Sequence, residues 1–128
     1  MKAINFIIVL FLAINFSACD AQNSFTNINQ KEMIDLMKDE SIVVIDVRTP
    51  GEVSQGYLKG TDHFFNINSS DFEENIKSLD PEKTYIVYCK SSARSSKAAN
   101  YMASSGFTKI YNLKGGMMSW SDKNYITK

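Results

Sequence analysis

Two rhythms of apolar and polar positions run along the chain, and the change from one to the other marks out its elements. Ile42-Val43-Val44-Ile45 and Tyr85-Ile86-Val87-Tyr88 are β-branched and aromatic without interruption. A strand with one wet face alternates, so these unbroken runs predict strands covered on both faces. Residues 64–67 form a shorter third run, and 107–112 supply a last strand. Helical spacing fills the intervals. Asn29 with Glu32 reads as a capping box, and Ile28 faces Met33 as a hydrophobic staple. Together they open a helix over 30–38 with Met33, Ile34 and Met37 on its inner face. Ser70 with Glu73 reads as a second capping box, opening a helix to about residue 78 that Asp80-Pro81 ends. A third helix over 95–105 turns Ala98, Ala99, Met102 and Ala103 inward and stops at Gly106. Strands alternating with helices predict an α/β fold, a mainly parallel sheet with crossover helices on both faces. Ligands of such sheets gather beyond the carboxyl ends of the strands, and Cys89 stands at one such end.

The pattern changes at the N-terminus. Lys2 is followed by an apolar run over 6–14, too short to cross a bilayer as a stable helix and suited to the core of an export signal. The run leads to Phe16-Ser17-Ala18-Cys19, which resembles the lipobox of bacterial lipoproteins. That resemblance implies cleavage before Cys19 and a lipid on its thiol. An ordinary secretory signal cut near Ala21, with Cys19 discarded, is the other reading. The expected organisation is a signal peptide over 1–18, a polar tether over 19–25 and one folded domain over 26–128. Such a protein is expected on the periplasmic side of the bacterial cell envelope, anchored to a membrane through its lipid.

Length and charge narrow the possibilities. In 128 residues there is room for a single core, and an apolar content of 44% without repeats or low-complexity tracts predicts a folded body. The 14 basic and 14 acidic side chains cancel, so no whole-molecule field favours nucleic acid or an anionic bilayer. A monomer is expected. With Cys19 assigned to processing, Cys89 is the only thiol of the mature domain and has no internal disulfide partner. In an oxidising compartment such a cysteine is either deeply buried or used chemically.

Its surroundings favour chemistry. The strand runs into Cys89-Lys90-Ser91-Ser92-Ala93-Arg94-Ser95 and a helix begins where that loop ends. Small residues let the loop curl with successive N–H groups inward, while the helix dipole and Arg94 add positive potential. A thiolate is favoured in such a place, and the same amides suit a terminal persulfide or a sulfonate-like donor. A small buried residue at a strand end is the plainer reading of Cys89. Lys90 either tunes the field at the mouth or is a solvated loop lysine.

Cys89-x-x-x-x-Arg94-Ser95 after a β-branched strand resembles the active-site loop of rhodanese-like sulfurtransferases. Two further segments agree in order and spacing: Val44-Ile45-Asp46-Val47-Arg48-Thr49-Pro50 followed by Glu52, and Leu113-Lys114-Gly115-Gly116-Met117-Met118-Ser119-Trp120. The resemblance implies a central parallel sheet of about five strands, a cysteine that alternates between thiol and persulfide, and no metal or organic cofactor. It implies Cys89 as the catalytic residue and Lys90, Ser91, Ser92, Ala93, Arg94 and Ser95 as the substrate-binding loop. Family members often carry His where Tyr57 stands and Gly where Ser92 stands. The second departure matters more, because a non-glycine residue avoids positive φ and could change which amides face the sulfur.

Asp46 and Arg48 read as loop-capping and ion-pairing residues, Arg48 with acids such as Glu52, although a catalytic part is the other reading. Gly115-Gly116 reads as a tight turn and Trp120 as an anchor for a C-terminal helix. His63, the one histidine, reads as boundary structure rather than the base of a Cys-His hydrolase. The expected reaction moves sulfane sulfur from thiosulfate or a persulfide, through Cys89, to a thiol or cyanide acceptor. The competing readings are a non-catalytic module that binds sulfur species or a protein, and a phosphatase. Phosphatase loops of related folds hold five residues between Cys and Arg, whereas this one holds four.

Overall fold

The computed structural model describes residues 25–128. The expected signal over 1–18, the lipidation site Cys19 and all but the last residue of the 19–25 tether lie outside the described residues. The chain runs β1 (Thr26–Ile28), α1 (Gln30–Leu36), β2 (Val43–Asp46), α2 (Pro50–Ser54), β3 (Tyr57–Leu58) and β4 (His63–Phe64). It continues through α3 (Phe72–Lys77), β5 (Thr84–Tyr88), α4 (Ala93–Ser104), β6 (Lys109–Leu113) and β7 (Ile126–Thr127). Two short 3-10 turns, Gly116–Ser119 and Lys123–Tyr125, separate β6 from β7.

Five strands form one parallel sheet in the order β1-β6-β5-β2-β4. The two apolar runs lie side by side near its middle, Val43 opposite Tyr85 and Asp46 opposite Tyr88. Both faces are covered, as unbroken apolar strands require. On one face, Ile45, Val47, Tyr85, Val87 and Cys89 pack with Phe72 and Ile76 of α3 and Ala98, Ala99 and Met102 of α4. On the other, Val44, Ile86, Tyr88 and Leu113 pack with Met33 of α1, Leu58 and Trp120. Complete burial of one such side chain contributes about 1.5–3 kcal/mol, which is how single residues such as Met33 pin whole helices to the sheet.

Local signals placed most elements. The Asn29–Glu32 capping box forms in both directions, at 2.9 and 3.2 Å, but α1 ends at Leu36 with Met37 as its cap instead of running to Lys38. The expected third strand over 64–67 shrinks to His63–Phe64. The amides of Phe65 and Ile67 still donate to the carbonyls of Asp46 and Val47, so the chain follows β2 without regular pairing. The Ser70–Glu73 capping box does not form. Asp71 takes the N-cap position, and its carboxylate accepts from the Ser69 hydroxyl at 2.6 Å instead of capping the helix. No α-helix follows Gly115-Gly116. Trp120 closes a 3-10 turn, buried, with its indole N–H donating to the Asp122 carbonyl at 2.8 Å.

Candidate active site

β5 lies between β6 and β2, and the backbone leaves its carboxyl end at Cys89. The side chain of Cys89 has no exposed surface. Its Sγ lies 3.3 Å from Ser95 Oγ and 3.4 Å from the Ser95 amide nitrogen, both in the first turn of α4. Burial pushes the Cys89 thiol up, but hydrogen bonds from the Ser95 hydroxyl and the amides of Ser95, Ser91 and Ser92 outweigh it. The net effect holds the thiol below its ordinary value, as expected where amides converge on a developing thiolate.

The amides face inward because the carbonyls are held outward. The Cys89 carbonyl accepts from Met117 N–H at 3.0 Å and the Lys90 carbonyl from Met118 N–H at 2.8 Å. Since C=O and N–H point to opposite sides of a trans peptide, holding the Lys90 carbonyl toward Met118 aims the Ser91 N–H at the sulfur. The donors belong to the 3-10 turn after Gly116, whose backbone lies against the loop. A Cβ at Gly116 would collide with the Cys89 and Lys90 carbonyls. Gly115-Gly116 therefore does more than turn the chain.

Ser92 takes the conformation that a side chain is expected to avoid, with φ 146°. Its departure from glycine therefore leaves a serine in a strained backbone conformation. The Ser92 hydroxyl donates to the Ser91 carbonyl and accepts from the Gly115 N–H at 3.0 Å. α4 then starts at Ala93, two residues before the expected Ser95.

The side chains named from the sequence divide by place. Ser95 is buried against the sulfur, while Lys90, Ser91 and Ala93 are exposed, and the effect of Ser91 on the thiol comes from its amide. Arg94 makes a bidentate ion pair with Glu52 at 2.6 and 2.8 Å. Those bonds hold Arg94 in its charged form, and the nearby Cys89 adds a smaller contribution. The hydrogen bond from Arg94, aided by the Thr49 hydroxyl, brings Glu52 down to about 2. Glu52 is well placed for this because Thr49 and Glu52 cap α2 reciprocally, with Pro50 at its start. Sequence reasoning paired Glu52 with Arg48. In the fold Arg48 instead grips Asp46, with distances of 2.8–3.1 Å, and donates to the Gly56 carbonyl at 2.7 Å. These two residues at one strand end satisfy each other and leave Glu52 to Arg94. His63 lies in β4 with its ring stacked on Phe65, and Tyr57 packs edge-on against Phe64.

The Rhodanese-like domain family matches residues 29–123. Thiosulfate sulfurtransferase GlpE of Shewanella oneidensis is 26% identical over 102 residues, covering 80% of this chain and 98% of its own length. Its counterpart in Pseudomonas putida is 31% identical over 98 residues, 77% of this chain and 86% of its own. Among solved structures, a rhodanese-like domain protein from Staphylococcus aureus superposes with a TM-score of 0.69 at 25% identity, covering 80% of this chain and 98% of its own. A rhodanese-related protein from Thermoplasma volcanium does so with a TM-score of 0.67 at 28% identity, covering 80% and 97%. These relatives support sulfurtransferase activity of the rhodanese type. With the matched residues spanning four of the five sheet strands, the Cys89 loop and the turn that holds it, the chain belongs to the rhodanese-like domain family.

Proposed function

We propose that the protein transfers sulfane sulfur by double displacement, carrying it as a persulfide on Cys89. The observation that carries this reading is the Ser95 hydroxyl and amide at 3.3 and 3.4 Å from a sulfur enclosed by the loop, with the thiol held below its ordinary value. With thiosulfate, the Cys89 thiolate attacks the outer sulfur, a new S–S bond forms, and sulfite leaves with the electrons of the old one. A nucleophilic acceptor, cyanide or a thiolate, then takes the terminal sulfur and returns Cys89 as thiolate. The negative charge stays inside the cradle through both steps, where fixed amides stabilise it without reorganising.

Ser95 supports the ionisation. Its hydroxyl has one proton and two acceptors, Cys89 Sγ at 3.3 Å and the Ser92 carbonyl at 3.1 Å. Facing a thiol it bonds to the carbonyl and accepts from S–H; facing a thiolate it turns its proton to sulfur. Lys90, Ala93 and Arg94 complete the rim of the loop. The whole chain, on the same reading, is an exported lipoprotein, with a signal over 1–18, lipid on Cys19, a tether over 19–25 and a monomeric domain over 26–128 facing the periplasm.

Mass spectrometry after thiosulfate treatment tests the chemistry. One added sulfur is expected on Cys89, removable by cyanide as thiocyanate, and none on Cys89→Ser, which keeps its fold because the replacement is nearly isosteric. A persulfide that forms but never passes to cyanide or a thiol would leave only a binding module. Phosphate-ester hydrolysis without sulfur transfer would overturn the assignment outright.

A further inference from the structure

We infer that Ser92 is a positioning residue, a latch whose hydroxyl ties the Cys89 loop to the Gly115 backbone and keeps the loop amides aimed at sulfur. The purpose of such a latch rests on the proposed chemistry at Cys89, and its geometry on separate observations.

Ser92 is the one non-glycine residue with positive φ among the described residues. At φ 146° the backbone lies where only glycine is at ease, so a serine there needs compensation from its surroundings. The compensation is visible. Ser92 Oγ accepts from the Gly115 N–H at 3.0 Å, a contact spanning 23 positions. The Ser92 N–H contributes to holding the Cys89 thiol below its ordinary value. The Ser92 carbonyl is occupied in turn by Ser96 N–H at 2.8 Å and Ser95 Oγ at 3.1 Å.

Ser92 is therefore the third point of a seam. Met117 N–H holds the Cys89 carbonyl, Met118 N–H holds the Lys90 carbonyl, and Gly115 N–H holds the Ser92 hydroxyl. The first two points need no side chain and serve any sequence that folds this way. The third exists only because residue 92 carries a hydroxyl. Glycine would relax the backbone and remove this tie.

Ser92→Gly and Ser92→Ala in the full chain separate the latch from the strain. Ser92→Gly removes both, and its thermal midpoint should equal or exceed that of the parent. Ser92→Ala keeps the strained φ and loses the tie. In both variants the midpoint of Cys89 alkylation against pH should move up by about half to one pH unit, the worth of one hydrogen bond in a pKa. Amide hydrogen exchange at Gly115 should accelerate in both. If Ser92→Gly folds at least as stably as the parent and keeps its alkylation curve in place, the hydroxyl is idle and the inference is wrong. Alkylation by iodoacetamide uses no sulfur donor. A shifted curve in variants of a parent that transfers no sulfur would thus uphold the latch while removing the proposed function.

Discussion

Glu52 and Arg94 stand 42 positions apart in the chain and meet in a bidentate pair at the mouth of the Cys89 loop. The pair makes acid stability a direct readout. Glu52 drops from an ordinary 4.5 to about 2 in the fold, first through the Arg94 hydrogen bond. A carboxylate depressed in this way stabilises fully above its unfolded value, and that contribution is lost as pH falls from about 4.5 toward about 2. Both side chains are about a quarter exposed, so solvent screening reduces the effect below what the shift alone implies. Urea midpoints of the parent should therefore fall across this window more steeply than those of Glu52→Gln. Parallel curves in the two proteins would mean that the pair contributes nothing to folding. The Asp46–Arg48 pair differs in kind, since both side chains are buried and each leaves the other's charge uncompensated if removed.

Between β6 and β7 the chain forms no α-helix, yet the 3-10 turn Gly116–Ser119 organises the site. Its first amides hold two loop carbonyls, and the close approach needs a residue without Cβ at position 116. Gly116→Ala should cost about 1–3 kcal/mol through overpacking, because its Cβ meets backbone that can move only by opening the loop. Gly51 is the control. It lies inside α2, and a Cβ there would find nothing within 4 Å, so Gly51→Ala should stabilise by roughly 0.5–1 kcal/mol through helix propensity. Chemical denaturation measures both, and the two shifts should have opposite signs. Equal effects would show that the turn does not press on the loop.

For the whole protein, the N-terminal sequence bears on where the domain sits. The apolar run over 6–14 and the Ser17-Ala18-Cys19 junction motivate lipidation at Cys19. In a bacterial host that processes lipoproteins, an alkyne fatty-acid analogue should label the parent and leave Cys19→Ser unlabelled and released from membranes. Unchanged labelling and membrane association in Cys19→Ser would replace the lipoprotein with another mode of export. Because Cys19 and Cys89 are the only two cysteines, the same variant leaves Cys89 as the sole thiol and should keep its sulfur chemistry.

Much of the fold was legible in residues close together in the chain. The apolar runs at Ile42-Val43-Val44-Ile45 and Tyr85-Ile86-Val87-Tyr88 announced the buried strands, and Asn29 with Glu32 announced α1, since burial on two faces and a satisfied helix start each leave a local mark. The Cys89 loop was legible for the same reason, as strand, small residues and helix follow one another directly. The three-residue β1 and the two-residue β3 and β7 were not legible, because strands so short carry no period and exist by pairing with distant partners. Ser70 carried the right motif for a cap that the neighbouring Ser69–Asp71 contact displaced. Sequence alone thus singled out Cys89 as the candidate residue and determined that a parallel sheet presents it. Only the tertiary structure decided what aims the amides at that sulfur and which acid takes Arg94, because the turn at Gly116 and the carboxylate of Glu52 reach the loop through space, after the sheet and helices have brought distant segments together.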